Sequence, residues 1–159
     1  MKRIILIIVS VLLSQVIFSQ TTVHDEKDKT GTLLILVKGF KNTEGQLMVA
    51  LYNSESQFMS KTPYKGAIVK ISANEELIRF ENIPFGDYAV SVLHDLNSNG
   101  ELDKNLLGIP TDGYGFSNNI MGKYGPPEWI QASFIFDERA EAKVVNIEYG
   151  IPEKTYASK

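Results

Sequence analysis

The sequence predicts an all-β domain, an antiparallel β-sandwich of about seven strands that carries one long loop and a short helix. Short apolar and β-branched runs recur along the chain and are separated by turn residues. No long segment keeps the spacing of an amphipathic helix. A length of 159 residues suits a single domain with short extensions. These three observations together favour two packed sheets.

The first strands are predicted from alternating apolar residues on either side of turn signals. Residues 31–40 and 46–52 flank the turn residues 42–45, which predicts an antiparallel hairpin. Residues 54–57 match a capping box, Ser followed three residues later by Gln, and predict one or two helical turns. Pro63 is expected to end this short helix because proline cannot continue one.

Similar runs predict the remaining strands over residues 67–71, 76–80, 88–94, 132–136 and 142–149. The first two of these runs are expected to pair across a turn at 72–74. Residues 95–130 are expected to form a long, glycine-rich loop. Loops of this length in compact domains are often functional, which directs attention to its residues.

A submotif within this pattern points to one type of sandwich. From Phe80 to Val92 the chain reads F-x-x-I-P-F-G-D-Y-x-V-x-V. It resembles the turn and strand of prealbumin-like (transthyretin-like) domains. Phe80 and Ile83 are expected in the core, and Tyr88 is expected to bury its ring while its hydroxyl reaches backbone near the turn.

The N-terminus has the composition of a secretory signal peptide. Lys2 and Arg3 precede an apolar run that is shorter than the roughly 20 residues needed to span hydrocarbon, which favours cleavage over a transmembrane anchor. We expect cleavage after Ser19, a periplasmic or extracellular location, and no membrane span afterwards. The predicted organisation is a signal peptide over 1–19, a flexible tail over 20–30, the sandwich over 31–150 and a C-terminal tail over 151–159.

Composition excludes several classes of function. The chain has no cysteine, so it has no disulfide framework and no thiol chemistry. A formal charge of −3 argues against nucleic-acid binding. The sequence lacks the G-x-S-x-G, H-E-x-x-H, phosphate-loop and dinucleotide fingerprints. Of its two histidines, His24 lies in the tail, and His94 is expected to be a hydrogen-bonded histidine at the rim of the core.

The stretch after the fifth predicted strand resembles a calcium loop. Oxygen-bearing side chains occupy its positions 1, 3, 5 and 9: Asp95, Asn97, Asn99 and Asp103. Gly100 stands where such loops need a sharp turn, and the Glu101 carbonyl is placed to be a ligand. The alternative is an Asn- and Gly-rich turn that satisfies itself through local hydrogen bonds.

The calcium pattern is incomplete. Position 12 is Leu106, where an EF-hand has a bidentate glutamate, and no flanking helices are predicted. A missing ligand is expected from Asp112, or from the amides of Asn118 and Asn119. Because the loop has so few carboxylates, we expect it to bind calcium with a dissociation constant of about 10⁻⁴–10⁻³ M.

The same long loop concentrates aromatic side chains among Gly and Asn. Tyr114, Phe116 and Trp129 are candidates to bind a glycan or an extended peptide, together with the amides of Asn118 and Asn119. The alternative is that these rings pin the loop to the sandwich, as most buried aromatic residues do.

From about Gly31 to Gly150 the chain resembles a secreted bacterial family, domain of unknown function 2141. The resemblance rests on four blocks: G45-x-L-x-V-x-L-Y52, G86-x-Y-A-V90, H94-D-x-N-x-N-G-x-L-D103 and G108-I-P-x-x-G-Y-G-F-S-N-N119. It implies an exported, prealbumin-like domain and supplies no activity.

The leading hypothesis is therefore an exported, non-enzymatic module that binds calcium through its acidic loop and presents aromatic residues to a ligand. Two rival hypotheses remain open. A hydrolase would act on glycans through the loop carboxylates. A structural envelope or adhesion component would assemble through exposed sheet edges.

Overall fold

The computed structural model describes residues 29–122 and 125–151. The predicted signal peptide and nearly all of both predicted tails lie outside these described residues. Within the two ranges, no helix is both long enough and apolar enough to cross a membrane.

The described chain is nearly all β, which confirms the predicted fold class. Its strands are β1 (Thr30–Lys38), β2 (Gln46–Tyr52), β3 (Lys65–Lys70), β4 (Glu75–Pro84), β5 (Gly86–Asp95), β6 (Gly113–Phe116), β7 (Phe134–Phe136), β8 (Lys143–Asn146) and β9 (Glu148–Tyr149). A 3₁₀ turn spans Ser117–Asn119, and the short helix α1 spans Trp129–Ala132.

Two sheets form the sandwich. The smaller has the strand order β4-β1-β8 and the larger the order β3-β2-β5-β6-β9, with β7 pairing with β5 beyond the end of β6. All pairs are antiparallel except β1 and β8, which run parallel. Strand β5 is therefore the centre of the larger sheet, and its C-terminal end leads into the acidic loop.

The predicted strand partners are wrong in two places. Strands β1 and β2 lie in different sheets instead of forming a hairpin, and so do β3 and β4. Alternation of apolar residues specifies which face of a strand is buried, but it does not specify the neighbouring strand. The seven residues 39–45 also exceed the loops of tight hairpins, and here they cross from one sheet to the other.

Two local predictions also differ from the structure. Residues 54–60 form hydrogen-bonded turns, with the Phe58 N–H donating to the Ser54 carbonyl at 3.1 Å, rather than a helix. The predicted long loop contains strand β6, the 3₁₀ turn and the first two residues of helix α1. Strand β6 has the sequence Gly-Tyr-Gly-Phe, and its glycines conceal the strand pattern because glycine is disfavoured in strands.

The core lies between the sheets and follows the strand alternation. Leu33, Ile35 and Val37 of β1 are buried against Leu47, Val49 and Leu51 of β2. Tyr88 is also buried, and its hydroxyl donates to the Pro84 carbonyl at 2.7 Å, as predicted. Because the inward positions of β2 are apolar, the alternate positions Met48 and Ala50 point away from the core.

Candidate functional site

The acidic loop begins with a carboxylate that is entirely buried. One oxygen of Asp95 accepts from the Gln46 side chain at 2.8 Å and from the Gly100 N–H at 2.7 Å, and the other accepts from the Asn99 N–H at 3.1 Å. Burial by itself raises the pKa of Asp95, but these donors outweigh it and hold the pKa below its usual value. The loop thus curls around a charged carboxylate at its first position.

The next polar side chains of the loop meet at their tips. The Oδ1 atoms of Asn97 and Asn99 accept from backbone N–H groups two residues further on, at 3.0 and 2.8 Å. Their Nδ2 atoms donate to the carboxylate of Asp103 at 2.6 and 3.1 Å. Glu101 is exposed, and its backbone N–H is one of these donors. The structure therefore brings positions 3, 5 and 9 of the loop together.

Asp112 closes the loop at its base. It is 2% exposed, and its two oxygens accept from the Leu96 N–H at 3.2 Å and the Asp103 N–H at 2.9 Å. Asp95 and Asp112 are therefore both bound to backbone N–H groups, while the Asp103 carboxylate is bound to amide side chains alone. Across residues 29–122 and 125–151, no group of three or more His, Asp or Glu side chains is arranged to hold a metal ion.

The connection before β2 packs directly against this loop. Gly45 has a φ of +69°, and a Cβ at this position would lie 2.0 Å from the Asp95 carbonyl oxygen. Beside it, His94 is fully buried, and its Nε2 donates to the Glu44 carbonyl at 2.8 Å. Its Nδ1 lies 2.5 Å from the Tyr149 hydroxyl, so both ring nitrogens have partners. These contacts give His94 a structural role in holding the loop.

A short hairpin follows the acidic loop. The Thr111 N–H donates to the Asp103 carbonyl and the Asn105 N–H to the Ile109 carbonyl, each at 2.9 Å. At its tip, Leu106 is wholly exposed and Leu107 is 83% exposed. Exposed leucines on a hydrogen-bonded turn form an apolar surface that is held away from the core.

The hairpin borders a groove on the outer face of the larger sheet. The groove has a volume of about 1240 Å³, which is large enough for a small-molecule ligand. Its floor comes from outward-facing residues of four adjacent strands: Met48 and Ala50 of β2, Gly66 and Ile68 of β3, Ser91 and Leu93 of β5, and Tyr114 and Phe116 of β6. Hairpin residues Leu107, Ile109 and Pro110 line one side.

The predicted ligand residues separate into two groups. Tyr114 and Phe116 line the groove, with their rings edge to face at 6.3 Å. Trp129 does not line it and instead packs against Phe58 at 5.8 Å.

The two predicted amide ligands also lie outside the groove lining. The Asn118 amide donates to the Gln131 and Ser133 carbonyls, each at 2.9 Å, and accepts from Lys143 at 2.9 Å. Asn119 accepts from the Asn146 N–H at 2.8 Å. Both amides therefore connect the 3₁₀ turn to its neighbours.

The parts of the groove floor on β2, β3 and β5 were not among the predicted ligand residues. Met48, Ile68 and Leu93 occupy outward positions of their strands, and Ile68 is 61% exposed. Antiparallel sheets with one solvated face usually place polar residues at such positions. Apolar residues at outward positions of three neighbouring strands were the sequence signal that could have located this apolar face.

A family model described as an uncharacterised protein conserved in bacteria (DUF2141) matches residues 35–144, more than half of the chain. The matched range runs from the middle of β1 into β8 and includes the acidic loop, the hairpin and the floor of the groove. No curated protein and no solved structure matches the chain.

Proposed function

The chain belongs to the DUF2141 family of uncharacterised bacterial proteins, and we propose that it is an exported, non-enzymatic module that binds an apolar ligand in its groove. One observation carries this proposal. A groove of about 1240 Å³ on the outer face of the larger sheet is floored mainly by apolar residues of four neighbouring strands. A concave, mainly apolar surface with few polar groups is the usual form of a small-molecule site.

The polar groups of the chain give less support to the hydrolase hypothesis. Asp95 and Asp112 use their oxygens to accept backbone N–H groups, and both are buried. His94 has partners on both nitrogens. A general acid or base must reach the substrate, and these three groups are directed into the protein instead.

The groove also favours an apolar ligand over a glycan. A sugar needs hydrogen-bond partners for its hydroxyl groups when it leaves water. The amides predicted to provide them, Asn118 and Asn119, are bound to backbone groups outside the groove. Among the floor residues, only Ser91 and Tyr114 carry polar side-chain atoms.

Calcium remains part of the proposal as an occupant of the acidic loop. Its support is the sequence spacing and the meeting of the Asn97, Asn99 and Asp103 side chains. Each amide oxygen accepts one backbone N–H and has a second lone pair that is able to face an ion. An occupied loop would hold the following hairpin, and with it one wall of the groove, in a fixed position.

Export is the part of the proposal that rests on sequence alone. Cleavage after Ser19 gives a mature chain that begins at Gln20. Expression in a Gram-negative host, followed by cell fractionation and intact-mass measurement, tests this directly. A full-length chain that remains in the cytoplasm would contradict it.

Binding in the groove is tested with Nile red, an uncharged dye whose fluorescence increases in apolar surroundings. The mature protein is expected to bind the dye saturably. Ala50→Leu and Gly66→Val fill the groove floor and should each abolish binding. Gly66 tolerates a side chain because an added Cβ meets nothing closer than 3.6 Å.

The matched control is Val144→Leu, which enlarges an exposed residue of β8 in the other sheet. This variant should bind the dye as the unchanged protein does. Circular dichroism and thermal melting confirm that all three variants are folded. Absence of dye binding by the folded mature protein, or equal binding by all variants, would overturn the proposed function.

A further inference from the structure

The groove floor consists of two parallel rows that cross the strands. Strand register aligns Ile68, Met48, Leu93 and Tyr114 in one row, which forms a ridge of large side chains. Gly66, Ala50 and Ser91 align in the next row, which forms a trough, and Phe116 follows them on β6. Strands lie about 4.8 Å apart, so the trough is about 14 Å long from β3 to β6.

The trough offers almost no hydrogen-bond partners. Strands β2 and β5 are paired on both sides, so their backbone groups are already used within the sheet. Ser91 carries the one polar side chain of the trough row. A peptide in this position would leave its own N–H and C=O groups without partners, at a high desolvation cost. A hydrocarbon chain has no such groups to satisfy.

The two ends of the trough differ. Phe116 is 5% exposed and closes the end at β6. At the other end β3 is an edge strand, and a Cβ on Gly66 would lie 4.0 Å from the Pro63 ring. Lys61 is an exposed groove-lining residue two positions before that proline. The β3 end of the trough is therefore bordered by the segment that carries the Lys61 cation.

The remaining charges of the groove lining lie on the acidic loop and the hairpin. Glu101 and Lys104 are both exposed. Neither they nor Lys61 form a salt bridge with any other residue in the described ranges. With two lysines against one glutamate, the lining has a net positive charge, which favours an anionic head group over a cationic one.

We propose that the trough binds the alkyl chain of a fatty-acid anion, with the chain over Gly66, Ala50 and Ser91 and the carboxylate beside Lys61. This inference rests on the proposed function, because it specifies the ligand of the same groove. The carboxylate end of the chain lies at the β3 edge and the methyl end lies against Phe116. Each buried methylene contributes to affinity, while the lysine selects the charge of the head group.

The test measures displacement of Nile red from the mature protein by fatty acids below their micelle-forming concentrations. Dodecanoate should displace the dye, and affinity should rise roughly tenfold for every two methylenes from octanoate to dodecanoate. Dodecylammonium, with the same chain and the opposite charge, should compete less well. Lys61→Gln should weaken dodecanoate binding about threefold at low salt, with a smaller effect for Lys104→Gln.

The outcomes separate this inference from the proposed function. If Nile red binds and Ala50→Leu blocks it, but dodecanoate does not displace it, the fatty-acid assignment is wrong and the groove remains a binding site. Equal competition by dodecanoate and dodecylammonium would overturn the assignment of the anionic head group. If the dye does not bind the folded protein, both proposals are wrong.

Discussion

The hydroxyl of Tyr149 lies 2.5 Å from Nδ1 of His94 and joins β9 to β5 across the intervening strand β6. A carbonyl oxygen can only accept, so the Nε2 that faces Glu44 carries the ring hydrogen. In the neutral ring, Nδ1 then accepts from the tyrosine hydroxyl. That hydroxyl also accepts from the Lys41 N–H at 3.0 Å. The network fixes the sheet-to-sheet connection 39–45 beside the acidic loop.

Tyr149→Phe should destabilise the protein by about 2 kcal/mol, because it leaves both His94 Nδ1 and the Lys41 N–H without their partner. The matched comparison is Tyr88→Phe. It removes a hydroxyl that donates a single hydrogen bond, to the Pro84 carbonyl. Its expected cost is about 1 kcal/mol. Urea denaturation of the three proteins measures both values. A cost for Tyr149→Phe no greater than that for Tyr88→Phe would contradict the role of the network.

Asp95→Asn should lower the free energy of unfolding by about 2 kcal/mol at pH 7. The carboxylate oxygen that accepts from the Gln46 side chain and the Gly100 N–H would be replaced by an amide nitrogen, which cannot accept. The folded-state pKa of Asp95 is lowered, so the folded protein binds fewer protons than the unfolded chain. The stabilisation from the charge is therefore present above the unfolded pKa of about 3.9. It is lost as the pH falls through the lower pKa of the folded state.

The measurement is the difference in unfolding free energy between the unchanged protein and Asp95→Asn at pH 7, 5, 4 and 3. This difference should be constant down to about pH 4 and shrink below it. The pKa of Glu76 is also lowered, chiefly by the backbone N–H of Ser72, but Glu76 is present in both proteins and its contribution cancels. If the difference in unfolding free energy grows on acidification, the lowered pKa of Asp95 in the folded state is contradicted.

Gly45→Ala should destabilise the protein far more than Gly108→Ala. Both glycines have positive φ, +69° and +77°, which costs an alanine about 1–2 kcal/mol. Only at Gly45 does the added Cβ also collide with backbone, 2.0 Å from the Asp95 carbonyl oxygen, whereas at Gly108 it meets nothing within 4 Å. We expect about 1 kcal/mol for Gly108→Ala and at least about 3 kcal/mol for Gly45→Ala. Equal losses of stability in Gly45→Ala and Gly108→Ala would show that the acidic loop moves away from residue 45 at little cost.

The sequence predicted the parts of the fold that depend on local pattern. Alternation placed β2 at residues 46–52, in agreement with the structure, and the turn motif correctly placed the Tyr88 hydroxyl near backbone. Pairing was wrong because partners depend on contacts far apart in sequence, such as the parallel pair of β1 and β8. Strand β6 escaped detection because two glycines replace the residues that mark a strand.

The candidate site shows the same division between local and distant information. The spacing of the acidic loop predicted its local turns, which depend on neighbours within a few residues. Tyr114 and Phe116 of the groove were named from the sequence, but the rest of its floor was not, because it combines outward positions of β2, β3 and β5. Ile68 and Tyr114 belong to one row only because of strand register, which the sequence pattern does not supply.

Calcium binding gives the last prediction. At 10 mM calcium and a dissociation constant of about 1 mM, the expected gain in unfolding free energy is about 1.4 kcal/mol. For a domain of this size that raises the melting temperature by about 5 °C. Potassium chloride at matched ionic strength should give no comparable shift, because general screening does not depend on a site. Magnesium should be weaker, since it gives up its water ligands reluctantly.

Asp103→Asn should remove the calcium response, because Asp103 is the loop aspartate whose oxygens are not bound to backbone N–H groups. The matched control is Glu81→Gln, which removes one exposed carboxylate from β4 in the smaller sheet. This control should keep the full shift in melting temperature. An unchanged response in Asp103→Asn would place any calcium elsewhere on the protein. No shift at 10 mM calcium in the unchanged protein would leave the loop as a turn held by its own hydrogen bonds.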